Sequence, residues 1–392
     1  MLRSLYSGIS GLRSHQTMLD VTGNNIANVN TTGFKSSATQ FRDTLSQMTH
    51  GAGGAQDLVG GTNPAQVGLG VLVAGISTNF TQGSAQATGR STDMMISGDG
   101  FFVTKIGTQT LYTRAGSFDP DSEGRLVSPD GAIVQGWPAV NGVIPDGSTA
   151  LGPVTIPRNA VSPAVATSTV SASGNLPADA STGTALTRDI DVYSADGSKR
   201  SLAVTFTKSA TGWDVAATDP NGATGAGTMT FNADGTLASG GSLTVGGIAV
   251  DLSALTGYAS LSTVSLDKQD GRTVGTLESF SLSKDGTLVG SFSNGETQAI
   301  ARIALATFVN PGGLEKAGSS EYTATINSGT PQLGTAGTDG FGSLIGGSLE
   351  MSNVDLSQEF TNLIVAQRGF QANARIITTS DEVLQELTNL KH

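Results

Sequence analysis

LSQEFTNLIVAQRGFQANARIITTSDEVL, residues 356–384, carries a large apolar side chain at every seventh position: Leu356, Leu363, Phe370, Ile377 and Leu384. Phe360 and Ala374 each stand four residues after a repeat position. A period near 3.5 lines these residues along one stripe of a helix, and such a stripe is a seam that wants a partner. Leu5, Leu12, Leu19 and Ile26 repeat the pattern near the other end, with Leu2 and Ile9 on the same side. Two seamed helices therefore bracket the chain.

Residues 3–28 form the first helical segment. Gly8, Gly11 and Gly23 interrupt it, each costing about 1 kcal/mol relative to alanine in a helix interior. A lone helix of this length with those glycines is marginal in water. It becomes ordered when its stripe is buried, each large apolar side chain contributing roughly 1.5–3 kcal/mol. The expectation is mobile ends in the monomer and ordered ends in an assembly.

Between the helices the pattern changes. From 31 to 70 the sequence is rich in Asn, Thr, Gly, Ser and Gln, with Gly51-Ala52-Gly53-Gly54 and Gly60-Gly61, and reads as a loop-rich connector. From Val71 onward short apolar runs such as Phe101-Phe102-Val103 and Ala132-Ile133-Val134 are punctuated by turn dipeptides. These are Asp130-Gly131, Asn141-Gly142, Asp146-Gly147, Asp196-Gly197, Asn221-Gly222, Asp234-Gly235, Asp270-Gly271, Asp285-Gly286 and Asn294-Gly295. Asn-Gly and Asp-Gly between strands suit type I′ hairpin turns, which need positive φ at both central residues. Antiparallel β domains follow. A Pro-, Ala-, Ser- and Thr-rich shift after residue 146 and another near Lys268-Gln269-Asp270-Gly271 set off 146–274 as a β domain inserted into another, 71–145 with 275–351. Residues 1–30 with 352–392 are left as the helical coiled-coil domain. The fold class is mainly β with terminal α-helices, a discontinuous β domain and an inserted β domain.

Composition narrows function mostly by exclusion. A chain of 392 residues can hold two or three cored domains. The net charge of −11, with the Lys and Arg scattered, argues against nucleic acid. The absence of cysteine removes disulfides and thiolate chemistry. No apolar run approaches the ~18 residues of a membrane span, so no membrane insertion is expected. The opening Met1-Leu2-Arg3-Ser4-Leu5-Tyr6-Ser7 lacks a continuous apolar core and does not read as a cleavable secretory signal.

Chemical motifs are few. Asp119, Asp121, Glu123, Gly124 and Asp130 fall near the spacing of a calcium loop. Pro120 and strand-like flanks make that segment a β-hairpin turn with solvated carboxylates instead. His15, His50 and His392 are too far apart in sequence for zinc-ligand spacing. Asp189 and Asp191 alternate with Ile190 and Val192, as on the solvent face of a strand. No phosphate loop, dinucleotide fingerprint or nucleophile elbow is present. The expectation is a protein that is not an enzyme, with no catalytic residues, no metal and no cofactor.

Asn24-Asn25-Ile26-Ala27-Asn28-Val29-Asn30-Thr31-Thr32-Gly33-Phe34-Lys35 resembles the N-terminal signature of the bacterial flagellar rod, hook and hook-associated protein family. Asn353-Val354-Asp355 and Gln367-Arg368 resemble the matching C-terminal signature. Gly98-Asp99-Gly100-Phe101-Phe102-Val103 and Tyr112-Thr113-Arg114-Ala115-Gly116-Ser117-Phe118 suit both hook and distal rod members. Inserted segments such as Val204-Thr205-Phe206-Thr207 and Gly227-Thr228-Met229-Thr230-Phe231 resemble the outer domain of the hook branch. The resemblance implies a structural subunit, exported unfolded through the flagellar type III apparatus, that polymerises into a curved tube acting as a universal joint. The rod branch, a straight drive shaft, is the alternative. Implied partners are other copies of the chain, the hook cap, the distal rod, hook–filament junction proteins and the export apparatus, all at the flagellum. Implied assembly residues are the two stripes: Leu5, Ile9, Leu12, Leu19 and Ile26, with Leu356, Phe360, Leu363, Phe370, Ala374, Ile377 and Leu384.

Overall fold

Helix α1 spans Leu2–Ala27 and α2 spans Leu356–Asn389, and the described residues between them run through strands, turns and a short 3-10 turn. The computed structural model describes residues 2–389 apart from 56, 58, 59, 141, 146–149 and 158. Asn141-Gly142, Asp146-Gly147 and His392 therefore lie wholly or partly outside the described residues, as does the side chain of Leu2. The mainly β chain with terminal helices is the class the sequence implies. Two compact units result: Met1–Pro157 with Ser281–Val289 and Ala299–His392, and Arg158–Phe280 with Gly290–Gln298.

The first unit is built on an antiparallel sheet. Ile133–Pro138, Phe101–Ile106, Gln109–Thr113, Glu321–Thr323 and Glu315–Gly318 pair in that order. Thr297–Thr307 adds to it, with Gly136 opposite Ile303 and Phe102 opposite Leu305. Phe101 and Phe102 are consecutive and both fully buried, so this strand is covered on both faces. On one side Phe101 joins Tyr112, Trp137, Phe308 and Tyr322 in a core. On the other, Phe102 packs edge-on against Phe118 at 5.3 Å.

The segment expected to be a loop-rich connector carries strands as well as loops. Ser37–Asp43 pairs antiparallel with Val71–Thr78, and Ser46–His50 with Ala65–Gly68. The last two are exposed along their whole length. With no buried face there is no apolar alternation to read, and pattern reasoning sees only polar residues and glycine.

The second unit is two sheets around one core. Ala185–Tyr193, Lys199–Lys208, Trp213–Thr218, Thr224–Phe231 and Leu237–Ser239 form a meander. The other sheet runs Ser242–Val245, Ile248–Thr256, Thr169–Asn175, Ser265–Gln269, with the middle pair parallel. Alternate residues from both, including Val204, Phe206, Trp213, Val170, Val250 and Leu252, fill the space between. Asp189 and Asp191 are exposed and Val192 is buried, the alternation read from sequence.

The turns differ from expectation in kind. At Ser283–Thr287, Gly286 N–H donates to Ser283 O and Ser283 N–H donates to Thr287 O. Only Gly286 has positive φ, 80°. This is a type I turn closed by a left-handed glycine, not type I′. The same bond pair recurs around Gly124, Gly131, Gly197, Gly222, Gly235 and Gly295. Asp196, Asp234, Asp285 and Asn294 each accept the N–H two residues on, a local bond that gives the preceding residue its own reason to be Asp or Asn. The calcium-like segment is two such turns in succession. Its carboxylates meet arginines: Asp119 pairs with Arg90, and Asp121 and Glu123 with Arg125. Two consecutive positive φ values, as type I′ needs, occur instead at Ser319-Ser320, 49° and 59°, directly after Gly318.

Asp270, singled out as a turn residue, is a joint between segments. Ser168 Oγ and the N–H groups of Ser168 and Thr169 donate to its carboxylate at 2.5, 2.8 and 2.9 Å. Burial pushes this carboxyl up, but the Ser168 hydroxyl and the Thr169 and Ser168 N–H groups outweigh it and hold it at about 2. A free aspartate titrates near ~3.9, so the unfolded chain binds the proton first. The stabilisation is complete above about pH 4 and is lost as pH falls toward 2. Thermal unfolding at pH 5 and pH 2.5 should show a larger drop for the native chain than for Asp270→Asn. Equal drops would assign the acid sensitivity elsewhere.

Candidate assembly interface

The two helices pack on each other through small residues. Among the described side chains, the buried positions of α1 are Gly8, Gly11, Ser14, Thr22 and Asn25. Those of α2 are Ala366 and Ser380. A Cβ placed on Gly8 would lie 3.4 Å from Ile377 Cγ1, one on Gly11 2.6 Å from Asn373 Oδ1, and one on Gly369 2.5 Å from His15 Cε1. The glycines counted above as a propensity cost are thus where one helix admits the other. The stripe residues flank this line: Leu5, Ile9, Leu12, Leu19, Ile26, Leu363, Ala374, Ile377 and Leu384 are half-buried. Leu356, Phe360 and Phe370 are exposed.

A strand pair holds another side of α1. Asn25 donates through Nδ2 to Ser37 O at 2.7 Å and accepts from Ser37 N–H at 3.0 Å. His15 lies 5.9 Å from the Phe41 ring, and Val71 N–H donates to Ser10 Oγ at 3.2 Å.

Below the helices a buried polar clasp ties the two chain ends together. Lys35 Nζ meets Glu350 Oε1 at 2.5 Å, with both side chains fully buried. Lys35 also donates to Thr81 O at 2.8 Å, and Gly83 N–H donates to Glu350 Oε1 at 2.9 Å. Arg114 stands 3.6 Å from the other Glu350 oxygen, donates to Gly98 O and lies over the Phe101 ring. Burial pushes the Lys35 ammonium down, and the Glu350 hydrogen bond and charge pull it back toward protonation. Gly33 N–H donates to Glu350 O at 2.8 Å. Its φ is +67°, and a Cβ there would lie within 3 Å of Ala115 and Arg114 backbone atoms, so only glycine fits. Asn353 completes the join, accepting from Ser36 N–H and donating to Asn79 O and Thr81 O.

Comparison with known proteins fits this end-to-end construction. The family descriptions "Flagella basal body rod protein", "Flagellar hook protein FlgE/F/G D1 domain" and "Flagellar basal body rod FlgEFG protein C-terminal" match residues 5–35, 95–178 and 345–390. The flagellar hook protein FlgE of Treponema pallidum is 38% identical over the whole of both chains, and that of Borreliella burgdorferi likewise 38%. This chain belongs to the flagellar hook and rod protein family. The flagellar basal-body rod protein FlgG of Bacillus subtilis is also related, 35% identical over the whole of both chains.

For this hook-and-rod family chain, the signature residues divide by position. Asn25, Gly33, Lys35 and Asn353 make the seam and clasp. Asp355 caps α2, its carboxylate accepting Ser357 N–H at 2.8 Å and Gln358 N–H at 3.3 Å. Asn28 closes α1 through bonds to Asn24 O and from Thr31, and Phe34 lies under the Lys316 ammonium at 5.2 Å. Thr32 and Val354 are half-buried, while Asn24, Ala27, Gln367 and Arg368 are exposed. Glu350 was not singled out in sequence, nor was Arg114 as more than part of a motif; the only hint is a lone carboxylate three residues before Asn353.

The seam makes a direct prediction. In Gly11→Ala the new methyl meets the Asn373 amide, which must leave its bond to Gly369 O. We expect helix pairing to weaken by about 1–3 kcal/mol, the usual range for overpacking. Asn373→Ala in the same chain should restore most of it. Helical circular dichroism against temperature reads both, and additive losses in the double variant would contradict the contact.

Proposed function

We propose that this chain is the structural subunit of the flagellar hook, self-assembling into a curved tube that passes torque from the rod to the filament. The observation that carries this is the apolar surface α2 leaves exposed after pairing with α1. Leu356, Phe360, Ile364, Val365, Phe370, Ile376, Val383 and Leu387 are exposed along one helix. That is far more than the scattered apolar residues of an ordinary surface, and apolar exposure of this extent on one helix points to an interface. Full-length identity to hook proteins supports other copies as the occupant. No described helix is long and apolar enough to cross a membrane.

The family is structural, and no catalytic role is assigned. Its place is the flagellum, and the hook cap, distal rod, hook–filament junction proteins and export apparatus are its proposed partners. The rod reading is kept because a rod protein matches over the full length at 35% identity. Electron microscopy of polymers grown from the purified chain separates the two. Curved tubes are expected; straight ones would favour the rod, and a chain that never polymerises would overturn both.

A further inference from the structure

Asn221-Gly222 and Asn294-Gly295 are the same dipeptide in the same kind of turn, both within the second unit. Each asparagine is the third residue of a type I turn, and each glycine closes it with positive φ, 85° and 78°. Gly222 N–H donates to Asp219 O and Gly295 N–H to Phe292 O, both at 2.9 Å. The backbones are matched; the side chains are not. Asn294 is half-buried and tethered at both ends of its amide. Its Oδ1 accepts Glu296 N–H at 3.1 Å, and its Nδ2 donates to Thr273 O at 2.9 Å and to Ser162 Oγ at 3.4 Å. Gly275 leaves the space for it, since a Cβ there would lie 2.5 Å from Asn294 Cγ. Asn221 is exposed, and its side-chain amide has no hydrogen-bond partner among the described residues. What is held is its backbone N–H, which donates to Asp219 Oδ1 at 3.4 Å.

An asparagine before glycine has an intramolecular reaction open to it. The glycine nitrogen, with no side chain beside it to block the approach, attacks the asparagine amide carbon. The new N–Cγ bond forms as Cγ–Nδ2 breaks, and the glycine N–H proton leaves with the amide nitrogen as ammonia. Solvent water then opens the five-membered succinimide at either carbonyl, giving an aspartyl or an isoaspartyl linkage. No oxidant or reductant is needed. The side chain must first swing toward the glycine nitrogen. For Asn221 the turn's own backbone bonds are all that opposes this. For Asn294 three side-chain bonds must break as well, and each adds to the barrier.

We propose that Asn221 is a site of spontaneous modification in the folded chain, converting through a succinimide with Gly222, and that the tether protects Asn294. The product carries a new carboxylate next to Asp219, whose own carboxylate is paired with Arg200. An isoaspartyl linkage also adds a carbon to the main chain inside the loop that the Asp219 N–H to Ala223 O bond closes at 2.9 Å. The turn bonds then no longer line up, and the hairpin joining Trp213–Thr218 to Thr224–Phe231 loosens at its tip. The chemistry requires no assembly and is independent of the hook reading.

The test holds the purified full-length chain, folded and in urea, in mildly alkaline buffer and follows its peptides by mass spectrometry. In the folded chain the peptide with Asn221 should exchange amide for acid at least about tenfold faster than the peptide with Asn294. In urea the two should convert at comparable rates, because glycine follows both. Asn221→Gln, whose longer side chain closes a less favoured ring, should stop the change at that position and leave the Asn294 rate as in the native chain. Equal rates in the folded chain, or a faster Asn294, would overturn the proposal. A bias that persists in urea would place the cause in neighbouring sequence and overturn it too. So would a folded chain unchanged at Asn221 while the urea sample converts, since the turn itself would then block the attack.

Discussion

Deleting residues 1–30 and 355–392 should abolish tube formation and leave a soluble, folded β protein. The cut lies outside the clasp: Lys35, Glu350 and Asn353 remain, together with their bonds to Thr81, Gly83, Asn79 and Ser36. Both unit cores are also untouched, since no residue of either aromatic or aliphatic cluster falls in the deleted segments. Removed are the small-residue seam and the exposed apolar residues of α2. Ser37–Asp43 and Val71–Thr78 lose the helix that covers them, and a two-stranded ribbon alone is marginal in water. The expected result is one cooperative β unfolding transition or two, a protease-sensitive ribbon, and no polymer at any concentration the full chain needs. Tubes of normal diameter from the truncated chain would place assembly on the β units and remove the terminal helices from the mechanism.

What could be read from sequence was what repeats locally. Leucine-type residues every seven positions located both helices, and turn dipeptides located the β region. The pairing surface itself was misjudged in detail. Helix propensity treats Gly8 and Gly11 as liabilities because it describes an isolated helix. In a pair, the missing side chain is what lets Asn373 and Ile377 approach, and the leucines move to the flanks. At Asp196-Gly197, Asp234-Gly235 and Asp285-Gly286 the turns were placed correctly and typed wrongly, because the dipeptide fixes glycine's left-handed φ without fixing that of its neighbour; Gly271 after Asp270 has no positive φ at all. The Lys35–Glu350 pair joins residues 315 positions apart, and no local pattern reports such a contact. The family signature marked one side of it, Lys35, and said nothing of the other.

Glu350→Ala should be the most damaging single substitution in the first unit. It strands two buried cations, since Lys35 and Arg114 are both almost wholly inaccessible and each faces the same carboxylate. Breaking a buried pair by removing one partner typically costs about 3–5 kcal/mol, against near zero for an exposed one. For a unit of this size that is a fall in Tm on the order of 10 °C. Glu350→Gln separates charge from hydrogen bonding. Its amide oxygen still accepts from Gly83 N–H and Lys35 Nζ, so it should lose less than alanine does. In the glutamine variant, burial lowers the Lys35 pKa with no carboxylate to oppose it. The unfolded chain then binds more protons than the folded one between the lowered folded value and about 10.5, and stability rises with pH across that window. Melting curves from pH 7 to 10 should therefore show Glu350→Gln recovering toward the native chain as pH increases. Recovery absent in the glutamine variant, or an alanine variant as stable as the native chain, would mean that the clasp is held by its backbone bonds and that the buried charges are incidental to it.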